Sequence, residues 1–465
     1  MAKKKANSNQ DTQEFISSFK GFMDKAVAQA PVKEPPFLQT MREHFGADPA
    51  QLPTVKEEFE KAEHPNLHLA VTSLLARDGC TSQLVGFAAP NDHMGVKISH
   101  LLGSHYGSQV REGPVEYINI ELEDERVLAC VQSGLYLIQQ NGEPLALLIN
   151  GPRDWHRTVD IEVMGLEPAK AERLLSELRT TMRARNVYRN QVVSLGMEHQ
   201  GALTVQFHRL PAIDRDNIIL PQGILDRIER QTIGFSRLSH KLLAAGRHLK
   251  RGMLLYGPPG TGKTLTAMYL ANRMEGRTVL VLTGRSVGLL EQSCKMARLL
   301  QPATIILEDV DLIAEERTHQ DIGCNALLFE LLNQMDGLKD DADILFLLTT
   351  NRPDILEPAL AARPGRIDQA IEIPLPDYDC RRRLFDLYGQ GLTLRLENLS
   401  QLIDQTEGVS ATFIRELMRK AALFAADESD DMIVEDRHLE EALKELVFEG
   451  GELTKRLLGA TRAYS

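Results

Sequence analysis

The sequence is poor in cysteine, in aromatic residues and in long apolar runs. Its 465 residues include one tryptophan and five cysteines, and aromatic residues make up 5%. The cysteines lie far apart without CxxC spacing, so neither a zinc site nor a disulfide framework is predicted, and reduced thiols are expected. They are Cys80, Cys130, Cys294, Cys324 and Cys380. No apolar run approaches the roughly 20 residues that span a bilayer, and the first residues lack a secretory apolar region, so a cytoplasmic location is predicted.

A surplus of basic residues is also missing. The chain has 53 Lys and Arg against 65 Asp and Glu, which gives a formal net charge of −12. Phosphate groups would be repelled over most of such a surface, so a nucleic-acid partner is disfavoured. This charge argues against a DNA-directed loader or helicase.

The chain is long enough for about three domains. Polar, proline-containing residues at the start predict a flexible tail, and mixed helical and alternating strand patterns predict a separate mixed α/β module after it. Continuous apolar strands then alternate with helical stretches, which is typical of a parallel sheet covered on both faces. The last part is predicted to be helical, without strands. The predicted segments are 1–36 (tail), 37–210 (α/β module), 211–376 (parallel α/β subdomain), 377–450 (helical subdomain) and 451–465 (tail).

A glycine-rich loop is the strongest motif. Residues 257–264 read GPPGTGKT, which fits GxxxxGK[ST], and they stand between an apolar strand and a helical stretch, as this motif requires. Its backbone N–H groups and the following helix N-terminus would bind phosphate oxygens. Lys263 is predicted to neutralise the β- and γ-phosphates, and Thr264 to coordinate Mg²⁺. The predicted nucleotide-binding residues are Gly257, Pro258, Pro259, Gly260, Thr261, Gly262, Lys263, Thr264 and Leu265.

An acidic pair, Glu308-Asp309, follows the apolar run 304–307. A carboxylate at the carboxyl end of a parallel strand lies beside the phosphate loop, where ligands of open α/β sheets bind. One acid is expected to hold Mg²⁺ and the next to orient and polarise the attacking water.

In this order the motifs resemble the AAA family of P-loop ATPases, within the AAA+ group, over roughly residues 215–450. The resemblance rests on the phosphate loop and on residues 331–337 (LLNQMDG), 350–354 (TNRPD) and 363–368 (RPGRID). It implies an α/β fold, with a parallel-sheet ATPase subdomain and a helical lid, and it implies ATP and Mg²⁺ as cofactors. The N-terminal module resembles the leading region of uncharacterised bacterial AAA proteins.

The resemblance implies roles for three further residues. Asn351 matches sensor 1, whose amide bonds the γ-phosphate or the attacking water. Arg363 and Arg366 match the arginine-finger pair, which acts on the nucleotide of a neighbouring subunit. A ring is therefore implied, in this family usually a homo-hexamer, and we expect the module at 37–210 to bind a protein substrate or adaptor.

Several positions depart from the family pattern. The acidic pair is inverted from the usual Asp-Glu, so by position Glu308 becomes the Mg²⁺ acid and Asp309 the water-polarising acid.

The pore-loop candidate 286–290 has no aromatic residue, which argues against tight gripping of a threaded peptide. The turn before Arg363 is one residue longer than the common form. The sensor-2 arginine is absent at Ala411 or Thr412, as is usual in this clade, and the final Ala463-Tyr464-Ser465 weakly resembles a proteasome-docking tail.

Two functions remain open at this point. The first is an ATP-hydrolysing ring that remodels or disassembles protein substrates or complexes. The second is a slow nucleotide-gated scaffold whose ATP state controls assembly or partner binding. The inverted acidic pair and the missing pore aromatic favour the scaffold, whereas the complete set of phosphate loop, sensor 1 and fingers favours the motor.

Overall fold

A computed structural model describes most of the chain. The described residues are 20, 35–89, 95–103, 110–153, 157–198, 201–283, 287–311, 326–337, 339, 341–354, 366–429 and 431–449. No helix within these ranges is both long enough and apolar enough to cross a membrane. The chain forms two compact units. The first comprises Met1–Phe59, Val71–Ile118 and Ala129–Leu178, and the second comprises Glu60–Ala70, Asn119–Leu128 and Arg179–Ser465.

The first part of the chain forms an antiparallel sheet with helices. Its strands are β1 (Thr54–Glu60), β2 (Cys80–Ala88), β3 (Arg111–Gly113), β4 (Glu116–Glu121), β5 (Val127–Gln140), β6 (Glu143–Asn150) and β7 (Thr158–Met164), in the order β1-β7-β6-β5-β2-β3, with β4 beside β5. Its helices are α1 (Pro36–Phe45), α2 (His64–Leu75), α3 (Ile98–Leu102) and α4 (Pro168–Ala184). Phe37 and Met41 of α1 pack on Leu135 and Leu148 of the central strands, which closes one core.

A second sheet carries the predicted phosphate loop. Its strands are β8 (Val192–Met197), β9 (Leu203–Phe207), β10 (Arg251–Tyr256), β11 (Thr278–Leu282), β12 (Ala303–Leu307), β13 (Ile344–Thr350) and β14 (Gln369–Glu372), in the order β14-β10-β13-β12-β11-β8-β9. From β14 to β8 every neighbouring pair is parallel, and only β9 is antiparallel. The accompanying helices are α5 (Ile224–Glu229), α6 (Phe235–Ala244), α7 (Lys263–Arg273), α8 (Leu290–Leu299) and α9 (Ala326–Asp336).

This parallel sheet is buried on both faces, as its uninterrupted apolar strands predict. Leu280 and Ile305 point to the face covered by α8 and α9. Their neighbours Val281 and Ile306 point to the opposite face, which α7 covers. The predicted parallel sheet is therefore confirmed, and the apolar run 304–307 lies within β12.

The remaining helices form a lid with its own core. They are α10 (Tyr378–Tyr388), α11 (Leu399–Gln405), α12 (Ala411–Glu428) and α13 (Asp436–Lys444). Short 3₁₀ turns lie at Pro49–Gln51, Lys61–Glu63, Glu123–Glu125, Arg215–Asn217 and Val287–Leu289, and π turns lie at Arg230–Gly234 and Glu445–Glu449. Phe413 and Leu417 of α12 are fully buried in the lid core. Ile219, which lies between β9 and α5, belongs to the same core.

Two sequence expectations differ from this fold. The predicted boundary after residue 210 falls inside the second unit, because β8 pairs with β11 and β9 pairs with β8. The lid was predicted to contain only helices, but β15 (Thr393–Arg395) and β16 (Ile433–Glu435) pair in parallel within it. These strands are three residues long. A run this short gives no alternating pattern that a sequence reading could recognise.

Candidate nucleotide site

Three chain segments with predicted functions meet at one edge of the parallel sheet. Tyr256, the last residue of β10, is in register with Thr350 at the end of β13. Leu307, the last residue of β12, is in register with Leu348 of β13. The phosphate loop, the acidic pair and Asn351 follow these three strands directly, so all of them leave the carboxyl edge together. Open α/β sheets bind ligands at this edge.

The phosphate loop begins with a backbone conformation that only glycine adopts readily. Gly257 has φ of +148°, and a Cβ there would lie 2.1 Å from the carbonyl oxygen of Ile373. The amide of Ile373 in turn donates to the Tyr256 carbonyl at 2.7 Å. The loop is therefore fastened to the chain after β14, and any side chain at position 257 would break this contact.

Lys263 is the first residue of α7 and lies under the loop. Its ammonium donates to the carbonyl oxygens of Gly257 at 2.8 Å and Pro258 at 2.7 Å. The residue is 5% exposed. Burial lowers the pKa of Lys263 to about 8, while the nearby carboxylates Asp309 and Asp311 act in the opposite direction. Among the described residues the hydrogen bonds of this buried cation go to carbonyl oxygens, so it is suited to receive an anion.

Asp309 stands in a backbone conformation that is rare for a residue with a side chain. Its φ is +47°, which costs on the order of 1–3 kcal/mol and persists where the surroundings hold it. Its amide donates to Thr349 Oγ1 at 3.1 Å, and its carboxylate accepts from Asn351 Nδ2 at 3.2 Å. Burial and the nearby Asp311 raise the pKa of Asp309, whereas Lys263 and the Asn351 hydrogen bond oppose that rise.

Glu308 faces the side of the sheet that α7 covers, like Ile306 two residues earlier. It borders a cavity of about 720 Å³ that Met268 of α7 also lines. Thr264 lies one helical turn before Met268, so both occupy one face of α7. Oε1 of Glu308 is buried, with no hydrogen-bond partner among the described residues. Burial and then the charge of Asp309 raise the pKa of Glu308.

This donor set fits a divalent cation. A hydroxyl in the first turn of α7 and a carboxylate with an unused buried oxygen are hard oxygen ligands of the kind that Mg²⁺ prefers. Thr264 and Glu308 are therefore the side chains that would hold it.

Asp311 is a site residue that the sequence reading missed. It is 4% exposed, and one carboxylate oxygen accepts from Thr350 Oγ1 at 2.8 Å and from the Asn351 amide at 3.1 Å. It thereby fixes the backbone from which the Asn351 side chain reaches Asp309. The sequence offered one signal, which is that Asp311 follows Asp309 by two residues and is a third acid beside the pair. Acidic residues are seldom buried unless they have a partner.

Replacing Asp311 with alanine is expected to lower ATP turnover about 10- to 100-fold. The change leaves the Asn351 amide and the Thr350 hydroxyl without this acceptor, at a cost of about 1–3 kcal/mol, and releases the backbone that carries the Asn351 side chain. Steady-state kinetics should show the loss in kcat, with ATP affinity changed less than about threefold. Asp341→Ala, at an exposed position, is the control; equal turnover in both variants would contradict the role given to Asp311.

The predicted finger Arg366 lies at the opposite edge of the sheet. A Cβ on Gly252, near the start of β10, would lie 2.2 Å from the Arg366 carbonyl oxygen. The phosphate loop begins five residues later along the extended strand, about 16 Å away. The Arg366 guanidinium pairs with Asp336, the last residue of α9, at 2.5 Å. Arg366 is therefore not brought together with the nucleotide site of its own chain.

Several other predicted features lie outside the described residues. These are Arg363, the first residue of the pore-loop candidate and the final Ala463-Tyr464-Ser465. Pro259, Thr264 and Leu265 are described and exposed at the loop and first turn of α7. The assigned roles of all the site residues stay predictions.

Comparison with known proteins agrees with this geometry. Residues 253–375 match the family described as "ATPase family associated with various cellular activities (AAA)". The chain contains an AAA domain. The matched segment begins in β10 and ends just after β14, so it includes the phosphate loop, the acidic pair, Asn351 and Arg366. AAA domains bind nucleotide, and the phosphate loop, the acidic pair and Asn351 lie together at the carboxyl edge of the sheet.

Proteins similar to the chain include a proteasome regulatory subunit and a proteasome-activating nucleotidase. The chain is 33% identical over 244 residues to the "26S proteasome regulatory subunit S10B homolog B" of Arabidopsis thaliana, across 48% of this chain and 61% of that protein. It is 34% identical over 201 residues to the "Proteasome-activating nucleotidase" of Thermococcus gammatolerans, across 41% of this chain and 50% of that protein. The chain thus spans about half to three fifths of the length of these relatives.

Proposed function

We propose that this protein hydrolyses ATP to ADP and phosphate at the carboxyl edge of its parallel sheet. The Lys263 ammonium would exchange the loop carbonyls for the β- and γ-phosphate oxygens, and the loop N–H groups would receive the remaining oxygens. Thr264 and Glu308 would hold Mg²⁺, which when bound neutralises charge on the phosphates.

The hydrogen bond between Asn351 and Asp309 is the observation that carries this proposal. At 3.2 Å it joins the amide and the carboxylate that are expected to flank the attacking water. Asp309 would polarise that water and accept its proton, while Asn351 would orient it. A purely structural loop would not need a partly buried carboxylate in a left-handed conformation near a buried lysine.

We further propose that the active sites are completed between copies of the chain, in a ring that is a homo-hexamer. Arg366 lies at the far edge of the sheet, about 16 Å from its own phosphate loop by strand length. Its guanidinium would serve a nucleotide bound by another copy, once its pairing with Asp336 is exchanged for phosphate oxygens. Arg363 would supply the second guanidinium.

The work done by such a ring would be remodelling or disassembly of protein substrates or complexes. The two relatives named above are a regulatory subunit of the proteasome and a nucleotidase that activates it, which supports an action on proteins. The N-terminal unit has its own core and would bind the substrate or adaptor. Several copies of this unit in one ring would bind a substrate more tightly together than one copy alone.

Turnover per chain is expected to rise with protein concentration, and Arg366→Ala should lower it by about 10³-fold, since a finger supplied in trans contributes this much to phosphoryl transfer. The measurement is steady-state ATP hydrolysis over a dilution series, with light scattering to follow assembly. Arg382→Ala, at an exposed lid position, serves as the control.

Two other results of this measurement would contradict the ring or favour the nucleotide-gated scaffold. Turnover that is independent of concentration and survives Arg366→Ala would contradict completion of the site between chains. ATP binding without measurable turnover at any concentration would favour the nucleotide-gated scaffold, whose inverted acidic pair would then be a weakened hydrolytic centre.

A further inference from the structure

The lid touches the phosphate loop directly through the start of α12. The Gly260 carbonyl oxygen accepts from the Thr412 amide at 3.2 Å and from Thr412 Oγ1 at 3.3 Å. There is no spare room at this contact. A Cβ on Gly260 would lie 2.8 Å from Ser410 Oγ and 3.0 Å from Thr412 Oγ1.

This contact completes the capping of α12. The first N–H groups of a helix have no partner within the helix. Ser410 Oγ accepts from the Phe413 amide at 3.2 Å, as an N-cap does. The Thr412 amide finds its acceptor outside the lid, on the phosphate loop. The lid helix and the loop therefore share one capping arrangement.

The contact also sets the direction of a loop peptide. The bond between Gly260 and Thr261 is trans and planar, so the Gly260 carbonyl and the Thr261 N–H point in opposite directions. Holding the carbonyl toward Thr412 turns the Thr261 N–H away from α12. The Thr261 side chain is buried and donates to the Pro258 carbonyl at 2.9 Å, so the loop is braced on both sides of this peptide.

The lid end of the contact is anchored in the lid core. Phe413, Ile414 and Leu417 follow Thr412 in α12 and are fully buried in the lid core. Movement of the lid would therefore carry Thr412 with it and release the Gly260 carbonyl. Conversely, a loop peptide turned by bound phosphate would change the partner of Thr412.

We propose that Thr412 is a positioning residue that latches the lid to the phosphate loop and thereby slows nucleotide release. It acts through Gly260 and orients a backbone donor for phosphate. This inference rests on the proposed function, because it concerns the same nucleotide site. The occupant is a nucleoside diphosphate or triphosphate whose phosphates lie in the loop.

The test compares Thr412→Val, which keeps shape and loses the hydroxyl, with Thr412→Ser, which keeps the hydroxyl. Loss of one hydrogen bond is expected to weaken ADP binding about three- to tenfold, measured by isothermal titration calorimetry of the full chain with ADP. In steady-state kinetics KM for ATP should rise by a similar factor, with kcat within about twofold. Thr412→Ser should restore both values.

The control is Thr393→Val, an exposed lid threonine of β15, together with the melting temperature of every variant. A wild-type chain that binds ADP while Thr412→Val binds it equally well would overturn the latch and leave the proposed function standing. Thr412→Ser behaving like Thr412→Val would also overturn it. A wild-type chain that binds neither ADP nor ATP would overturn the proposed function itself.

Discussion

Replacing Lys263 with alanine is expected to weaken ATP binding about 100-fold and to remove measurable turnover. Its ammonium is the buried cation of the loop and donates to the carbonyl oxygens of Gly257 and Pro258. Deleting one partner of a buried, charge-assisted contact costs about 2–5 kcal/mol, more than any surface charge contributes. Calorimetric titration with ATP and Mg²⁺ measures the affinity, and phosphate release measures turnover.

Lys295→Ala is the matched control for this change. Lys295 lies on α8 with its side chain 63% exposed and pairs with Glu291 one turn earlier, so its loss should leave ATP affinity within about twofold. Unfolding curves of both variants separate a lost contact from a lost fold. Normal ATP affinity in Lys263→Ala would mean that the loop does not bind the phosphates.

Exchanging each acid for its amide is expected to separate two roles in the inverted pair. Asp309→Asn should bind ATP and lose turnover by about 10²- to 10⁴-fold, because an amide cannot accept a proton from water. Glu308→Gln should keep part of its turnover and need more Mg²⁺ for half-maximal rate, because a neutral amide oxygen is a weaker ligand of a hard cation. Turnover at several Mg²⁺ concentrations measures both effects.

The opposite pattern would reverse the assignment. If Asp309→Asn hydrolyses ATP normally while Glu308→Gln is inactive, Glu308 polarises the water and Asp309 has another role. Asp386→Asn, on the exposed side of α10, tests whether loss of a carboxylate elsewhere in the domain matters. The geometry favours the first pattern, since Asp309 meets Asn351 and Glu308 faces α7.

The sequence by itself determined the parallel sheet and the identity of the phosphate loop. Apolar runs such as 278–282 have the composition of strands buried on both faces, and a glycine-rich loop is one contiguous stretch of chain. The order of the motifs was sufficient to identify an AAA domain. These features follow from neighbouring residues, so no knowledge of distant pairing was needed.

Only the tertiary structure decided how separate stretches meet. The second unit begins before the expected boundary at residue 210, because β8 pairs with β11. Strand partners far apart in the chain leave no local pattern, so the sequence did not predict this pairing. The same applies to Asp311, because its hydrogen bonds to Thr350 and Asn351 exist only where the end of β13 lies beside it. The place of Arg366 at the far edge of the sheet and the contact of Thr412 with the phosphate loop likewise depend on how distant parts of the chain fold together. Hydrogen bonds and charges act over a few ångströms in space, whereas the sequence records only distance along the chain.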